Sequence, residues 1–141
     1  MIVGIGVDLC PAGRWRRLLD RYGERPLRRM LSEEEACSLL AGPPGKLAER
    51  AAGRWALREA LGKAMGTGLS GWDMHELDYS HGRARARGGL EKKLGGMGVG
   101  KINAALSHDG GFSIAVVVLE SMEGVGYNNG CHAGFAGSGG K

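Results

Sequence analysis

Apolar spacing organises this chain around one long stretch. Leu47, Ala48, Ala51, Ala52, Trp55, Ala56, Ala60 and Ala64 recur at steps of three and four, which predicts a helix with one apolar face. Gly66 and Gly68 follow and end it, because glycine enters the left-handed region without steric cost. Upstream, Met1–Val7 is a short Ile- and Val-rich run, read as a strand, in which Gly4 and Gly6 mark close approach by a backbone or ligand. Ala12–Tyr22 sets Trp15, Leu18, Leu19 and Tyr22 on one side and Arg14, Arg17 and Arg21 on another, the pattern of an amphipathic helix. Pro26 breaks that pattern. Ser32-Glu33-Glu34-Glu35 reads as a capping box opening a helix that runs to about Leu40.

Downstream, Asp73–Tyr79 and Arg83–Arg87 form a predicted hairpin around Ser80-His81-Gly82, with a basic face on its second strand. The alanines of that strand are too small to anchor a core, which places it at an edge. Leu90–Met97 is a short helix. Lys101–His108 is a strand, Asp109-Gly110-Gly111 a hairpin turn, and Phe112–Leu119 the returning strand, with a continuous apolar run from Ile114. From residue 121 the chain becomes glycine-rich, and 121–141 reads as a flexible tail. Cys131 and His132 are adjacent there, with nothing nearby to complete a metal site.

Composition narrows the class. A chain of 141 residues with 43% hydrophobic content suits one globular domain. No apolar run approaches the ~20 residues of a membrane span, and no secretion signal opens the sequence. Three scattered cysteines without metal spacing fit reduced thiols in a cytoplasm. The net charge of +4 is unevenly spread: seven arginines and no lysine lie between positions 14 and 29. A solvated face is the default for such a helix, but guanidinium clusters also recognise carboxylates or phosphates by bidentate pairing. An acidic partner is therefore expected, and charge alone does not choose among nucleic acid, membrane, phosphorylated ligand and acidic protein.

Candidate chemistry sits in four places. Asp8 ends the first strand, where it either caps the following helix or delivers a carboxylate to a cleft. Glu59 and Lys63 lie one turn apart on the long helix, as an ion pair or as part of a site. Gly66-Thr67-Gly68 makes a turn, and Ser107-His108-Asp109 precedes the last strand. Two carboxylates, a lysine, a glycine turn and a Ser-His pair suit a metal-bound phosphate ligand, with Asp8 and Glu59 on Mg²⁺ and Lys63 and Arg58 neutralising phosphoryl oxygens. A Ser-His hydrolase triad fits poorly, since neighbours in a strand point to opposite faces.

Three motifs carry a resemblance. Ile2–Leu9, Arg54–Gly68 and Leu106–Asp109 resemble holo-acyl-carrier-protein synthase, the small bacterial type of phosphopantetheinyl transferase, over about residues 1–120. The resemblance implies an α+β fold, an antiparallel sheet packed with a long central helix and shorter helices, assembled as a homotrimer with sites between protomers. It implies transfer of the phosphopantetheine arm of coenzyme A to a serine of apo-acyl carrier protein in fatty acid synthesis, releasing adenosine 3',5'-bisphosphate. By the family pattern Asp8 and Glu59 hold Mg²⁺, and Lys63 serves the pyrophosphate. Arg54, Arg58, Gly66, Thr67, Gly68, Ser107 and His108 line the coenzyme A site, while Arg14, Arg21 and Arg29 meet the acidic carrier protein. Either Glu59 or a bound water takes the serine proton. The chain departs from the pattern at Arg58, where the family has Lys, at Asp109, where it has Glu, and at Gly82-Arg83-Ala84, where Gly-x-Pro is common. The competing class is a non-catalytic binding module gripping nucleic acid or carrier protein with its arginines. Against nucleic acid, few aromatics interleave with the basic residues, and Trp15 and Tyr22 are expected to face the core.

Overall fold

A computed structural model describes residues 1–122, as an α+β arrangement. Strand β1 (Ile2–Pro11) leads into helices α1 (Ala12–Tyr22), α2 (Arg25–Met30), α3 (Glu33–Leu40) and α4 (Leu47–Met65). A ribbon of β2 (Leu77–Ser80) and β3 (Arg83–Ala86) follows, then α5 (Gly88–Gly96), β4 (Val99–Asp109) and β5 (Phe112–Ser121). The main sheet is antiparallel in the order β1-β5-β4, and β2-β3 forms its own two-stranded sheet. No described helix is long and apolar enough to cross a membrane. The glycine-rich stretch, Cys131 and His132 lie outside the described residues, although β5 carries Ser121 into the segment assigned to the tail.

The long helix is more deeply enclosed than its alanine face predicts. Ala51, Ala52, Ala56, Ala60 and Ala64 are buried as expected, but so are Leu57, Arg58, Leu61 and Met65 on the opposite side. The sheet covers one side, α1 and α3 cover others, and Arg54 and Arg58 reach from α4 to β2. Gly66 ends the helix in the left-handed conformation, φ 75°, with its N–H donating to the Gly62 and Lys63 carbonyls.

Several local expectations need correction. Asp8 is an interior residue of β1 rather than its end, and Pro11, with no side-chain cap, precedes α1. The capping-box reading is half right: Ser32 Oγ accepts from the Glu35 N–H at 3.3 Å, but the Glu35 side chain turns inward instead of back to Ser32. Residues Met74–Glu76 form a 3-10 turn, so β2 is shorter than the predicted strand. The His81-Gly82 turn takes φ 50° and 72°, which matches the twist of a tight hairpin. Trp15 is buried against Trp55, with ring centroids 6.3 Å apart, whereas Tyr22 is exposed.

One contact positions everything that follows. Gly4 and Gly6 face α4 so closely that a Cβ on Gly4 would collide with the Ala64 carbonyl, and one on Gly6 with the Ala60 carbonyl. The obstacle is helix backbone, which cannot rotate away. Gly6→Ala is therefore expected to destabilise the protein by about 1–3 kcal/mol through overpacking, as read from urea midpoints. A wild-type midpoint in that variant would mean that β1 and α4 are not this close.

Candidate active site

Alternation along β1 puts Gly4, Gly6, Asp8 and Cys10 on the face toward α4. Two residues of strand advance about 6.8 Å, close to one helical turn, so Asp8 falls one turn beyond Ala60, toward the start of α4. Helical side chains lean toward their N-terminus, and Lys63 accordingly reaches back to Asp8. Its Nζ donates to Asp8 Oδ1 at 3.0 Å and to the Val7 carbonyl at 3.0 Å. The expected Glu59–Lys63 pair is replaced by this Asp8–Lys63 pair. Among the described residues the half-buried Glu59 carboxylate forms no ion pair or hydrogen bond. Burial pushes the nearby Cys10 thiol pKa up, Arg14 pulls it down, and the negative charges of both Asp8 and Glu59 push it up again.

The remaining predicted residues lie elsewhere on α4. Arg54 precedes Glu59 by five residues, about 140° around a helix of 3.6 residues per turn, so it emerges on another flank. There its guanidinium stacks 4.7 Å from the Tyr79 ring centroid. Its Nε lies 2.8 Å from Glu35 Oε1, an ion-pair separation without hydrogen-bond alignment. Arg54 shares a cleft of about 380 Å³ with Arg50, Arg85, Tyr79 and His81. Arg50 and Arg54, four residues apart on one helix face, carried this signal in the sequence, although Arg50 was not singled out. Burial lowers the Arg54 pKa from its ordinary value, and Glu35 offsets part of that effect.

Arg58 does not line a cleft. Its side chain has no exposed surface and is consumed by structure: Nε donates to the Met74 carbonyl, Nη1 to that of Arg54, and Nη2 to Glu35 Oε2 and the Leu77 carbonyl, at 2.8–3.2 Å. It ties α4 to α3 and to the start of the β2-β3 ribbon. A phosphate-binding role for Arg58 is thus excluded by its burial.

Ser107 and His108 part company, as strand alternation requires. His108 faces α4 across Gly53, where an added Cβ would meet its Cε1 at 2.9 Å. Ser107 is paired with Ile114 and shares the outward face of the sheet. Gly66-Thr67-Gly68 lies at the far end of α4, thirteen residues or roughly 20 Å from Gly53. Gly62 has no Cβ because the Gly68 backbone folds against it. Lys93 holds this turn, donating to Thr67 Oγ1 at 3.1 Å and to the Ser70 carbonyl at 2.8 Å. One chain therefore presents the acid pair with Lys63 on one flank of α4, Arg54 and His108 toward another, and the glycine turn at the end.

The basic helix is solvent-facing. Arg14, Arg21 and Arg29 are all exposed. Arg14 lies over Trp55 at 5.5 Å, and together with Arg29 it flanks a small groove floored by Trp15, Leu18, Pro26 and Met30. Arg28 instead is neutralised by Glu24 and Glu33.

Comparison with known proteins agrees with this architecture. A holo-[acyl-carrier-protein] synthase of Cutibacterium acnes is 37% identical over 123 residues, covering 85% of this chain and 99% of the relative. The crystal structure of the Neisseria meningitidis holo-[acyl-carrier-protein] synthase superposes with a TM-score of 0.79 at 29% identity, over 86% of this chain and all of that one. The Helicobacter pylori enzyme, solved in complex with coenzyme A, superposes with a TM-score of 0.70 at 26% identity, over 82% of this chain and 99% of that one. Residues 4–117, from the β1 glycines that admit α4 to the middle of β5, match the family model of the 4'-phosphopantetheinyl transferase superfamily, and the chain belongs to that superfamily.

Proposed function

We propose that this protein is a holo-[acyl-carrier-protein] synthase, moving the phosphopantetheine arm of coenzyme A to a serine hydroxyl of apo-acyl carrier protein. The observation that carries this reading is the β1–α4 crossing, at which Lys63 pairs with Asp8 and Glu59 stands one helical turn before Lys63 on α4. The donor set there fits Mg²⁺. Among the described residues no three His, Cys, Asp or Glu gather into a closed metal site. Two carboxylates alone suit an ion that prefers hard oxygens and keeps positions for water and a diphosphate. Asp8 and Glu59 would hold the ion, which when bound supplies charge neutralisation to the diphosphate.

The chain's own groups account for the rest. Lys63 is placed to neutralise phosphoryl oxygen as the bond to the departing bisphosphate breaks. Glu59, or a water on the ion it would help hold, would accept the serine proton. Arg54 and His108 would offer positive charge and a ring nitrogen to the nucleotide end of coenzyme A, and Gly66-Thr67-Gly68 would line the same molecule with backbone at the far end of α4. Incubating apo-acyl carrier protein with the enzyme, coenzyme A and Mg²⁺ should give a phosphopantetheine mass adduct, and its absence would reject the assignment.

A homotrimer is part of the proposal. The outward sheet face carries Ile5, Val7 and Leu9 beside Phe112, Ile114 and Val116, all 37–61% exposed. An antiparallel sheet normally turns polar residues to water, so such a face argues for cover by further copies of the chain. Cover there would also place Ser107 against a neighbour, and a second protomer could bring its Arg54 flank to the first protomer's acids. Light scattering after size exclusion should give three times the 14.8 kDa chain mass; a monomeric active enzyme would overturn this part.

The arginine surface supplies the carrier-protein contact. Arg14, Arg21 and Arg29 would speed encounter with an acidic helix, an effect that salt screens. Reversing Arg21 to Glu should lower kcat/KM for carrier protein by roughly tenfold at low salt and by less at high salt. A salt-independent rate in wild type would remove the electrostatic role.

A further inference from the structure

Ser113 lies on the inward face of β5 and has no exposed surface. Its Oγ is 2.9 Å from the Glu49 carbonyl oxygen and 2.6 Å from His108 Nδ1. A hydroxyl carries a single proton, and a carbonyl can only accept. Ser113 therefore donates to Glu49 and can only accept from His108, so Nδ1 must bear a hydrogen. In the neutral ring this leaves Nε2 as the atom with the free lone pair. Among the described residues Nε2 has no hydrogen-bond partner, and the ring lies across Gly53, one residue from Arg54.

We propose that Ser113 is a positioning residue, which locks His108 in its Nδ1–H form and presents Nε2 to coenzyme A. This rests on His108 lining the coenzyme A site, as proposed above. The two supports are independent in sequence: Ser113 fixes the ring's hydrogen-bonded edge, and the missing side chain of Gly53 leaves space for the ring. A free histidine side chain favours the opposite, Nε2–H form, so the locked state is a specific expectation rather than the default. In the opposite form Nδ1 would need a proton from Ser113, and the part-buried Glu49 contact would be broken.

The test is nitrogen-15 NMR of the histidine rings in the full-length protein, with His108 assigned by substitution, beside steady-state kinetics. Wild-type His108 is expected as the Nδ1–H form when neutral. Ser113→Ala should shift it toward Nε2–H and raise the KM for coenzyme A by roughly three- to tenfold, the loss of one positioning hydrogen bond, with kcat changed by less than about twofold. Ser113→Thr, which keeps the hydroxyl, should restore the wild-type ring state and KM. Gly53→Ala should displace the ring and raise KM with Ser113 intact. An Nε2–H ring in wild type, or an unchanged ring in Ser113→Ala, overturns the proposal; a changed ring with an unchanged KM overturns the positioning role. The ring measurement requires no turnover, so it stands apart from any failure of the transferase assignment.

Discussion

Glu59→Gln should lower the transfer rate by about 10²- to 10³-fold, the scale seen when one group stabilising transition-state charge is removed. The substitution keeps shape and polarity and deletes only the negative charge. In the folded chain Glu59 is half-buried and, among the described residues, bonds to no other side chain, so removing its charge breaks no structural contact. Stability should remain within about 0.5 kcal/mol of wild type. Asp8→Asn should give a loss of similar size, but it differs in one respect: it also removes the charge opposite Lys63, whose Nζ keeps its bond to the Val7 carbonyl. Both variants should demand more Mg²⁺ for half-maximal rate. Wild-type turnover in either, at ordinary Mg²⁺ concentration, would remove the metal assignment.

Glu35→Ala should destabilise the protein by about 3–5 kcal/mol, the range found when one member of a buried ion pair is deleted. The Glu35 carboxylate is 4% exposed and lies between Arg54 and Arg58. Burial lowers the Arg58 pKa, and the Glu35 charge is the largest influence opposing that shift. Arginine keeps its proton at accessible pH, so the cost of losing Glu35 must appear as lost folding free energy. Arg58 would still donate to the Met74 and Leu77 carbonyls, but as an uncompensated buried cation. Urea unfolding measures this directly, and a change below about 1 kcal/mol would show that the network contributes little. Since Glu35 also sets the Arg54 guanidinium over Tyr79, the variant should bind coenzyme A less tightly at temperatures where it remains folded.

Legibility of the site varied with how local its cause was. The limits of α1, the Gly66 stop and the Asp109-Gly110-Gly111 turn follow from periodicity and glycine stereochemistry within a few residues. Gly4 and Gly6 announced a close approach, and the helix backbone is what approaches. Arg58 was misread because a cation beside a motif glutamate looks like a phosphate ligand, and nothing local shows that α3 and the β2-β3 ribbon close over it. Glu35 is hidden for a related reason: its place three residues after Ser32 satisfies a capping rule, which gives its side chain a local role and masks the distant one. The separation of Arg54 from Glu59 was in principle readable, since helix geometry alone puts about 140° between them.

Residue order alone thus settled the strands of the main sheet, α1, α3 and α4, though not the short helix α2 after Pro26, because those elements depend on short-range sterics and periodicity. Chain packing settled which carboxylate Lys63 meets, that Arg58 is buried, and that an apolar sheet surface is left uncovered. Those outcomes arise from contacts between residues far apart in the chain, such as Val7 and Lys63, 56 positions apart, and Leu9 and Ile114, paired across β1 and β5. Such contacts are selected by the joint burial of whole elements, and no local pattern encodes them.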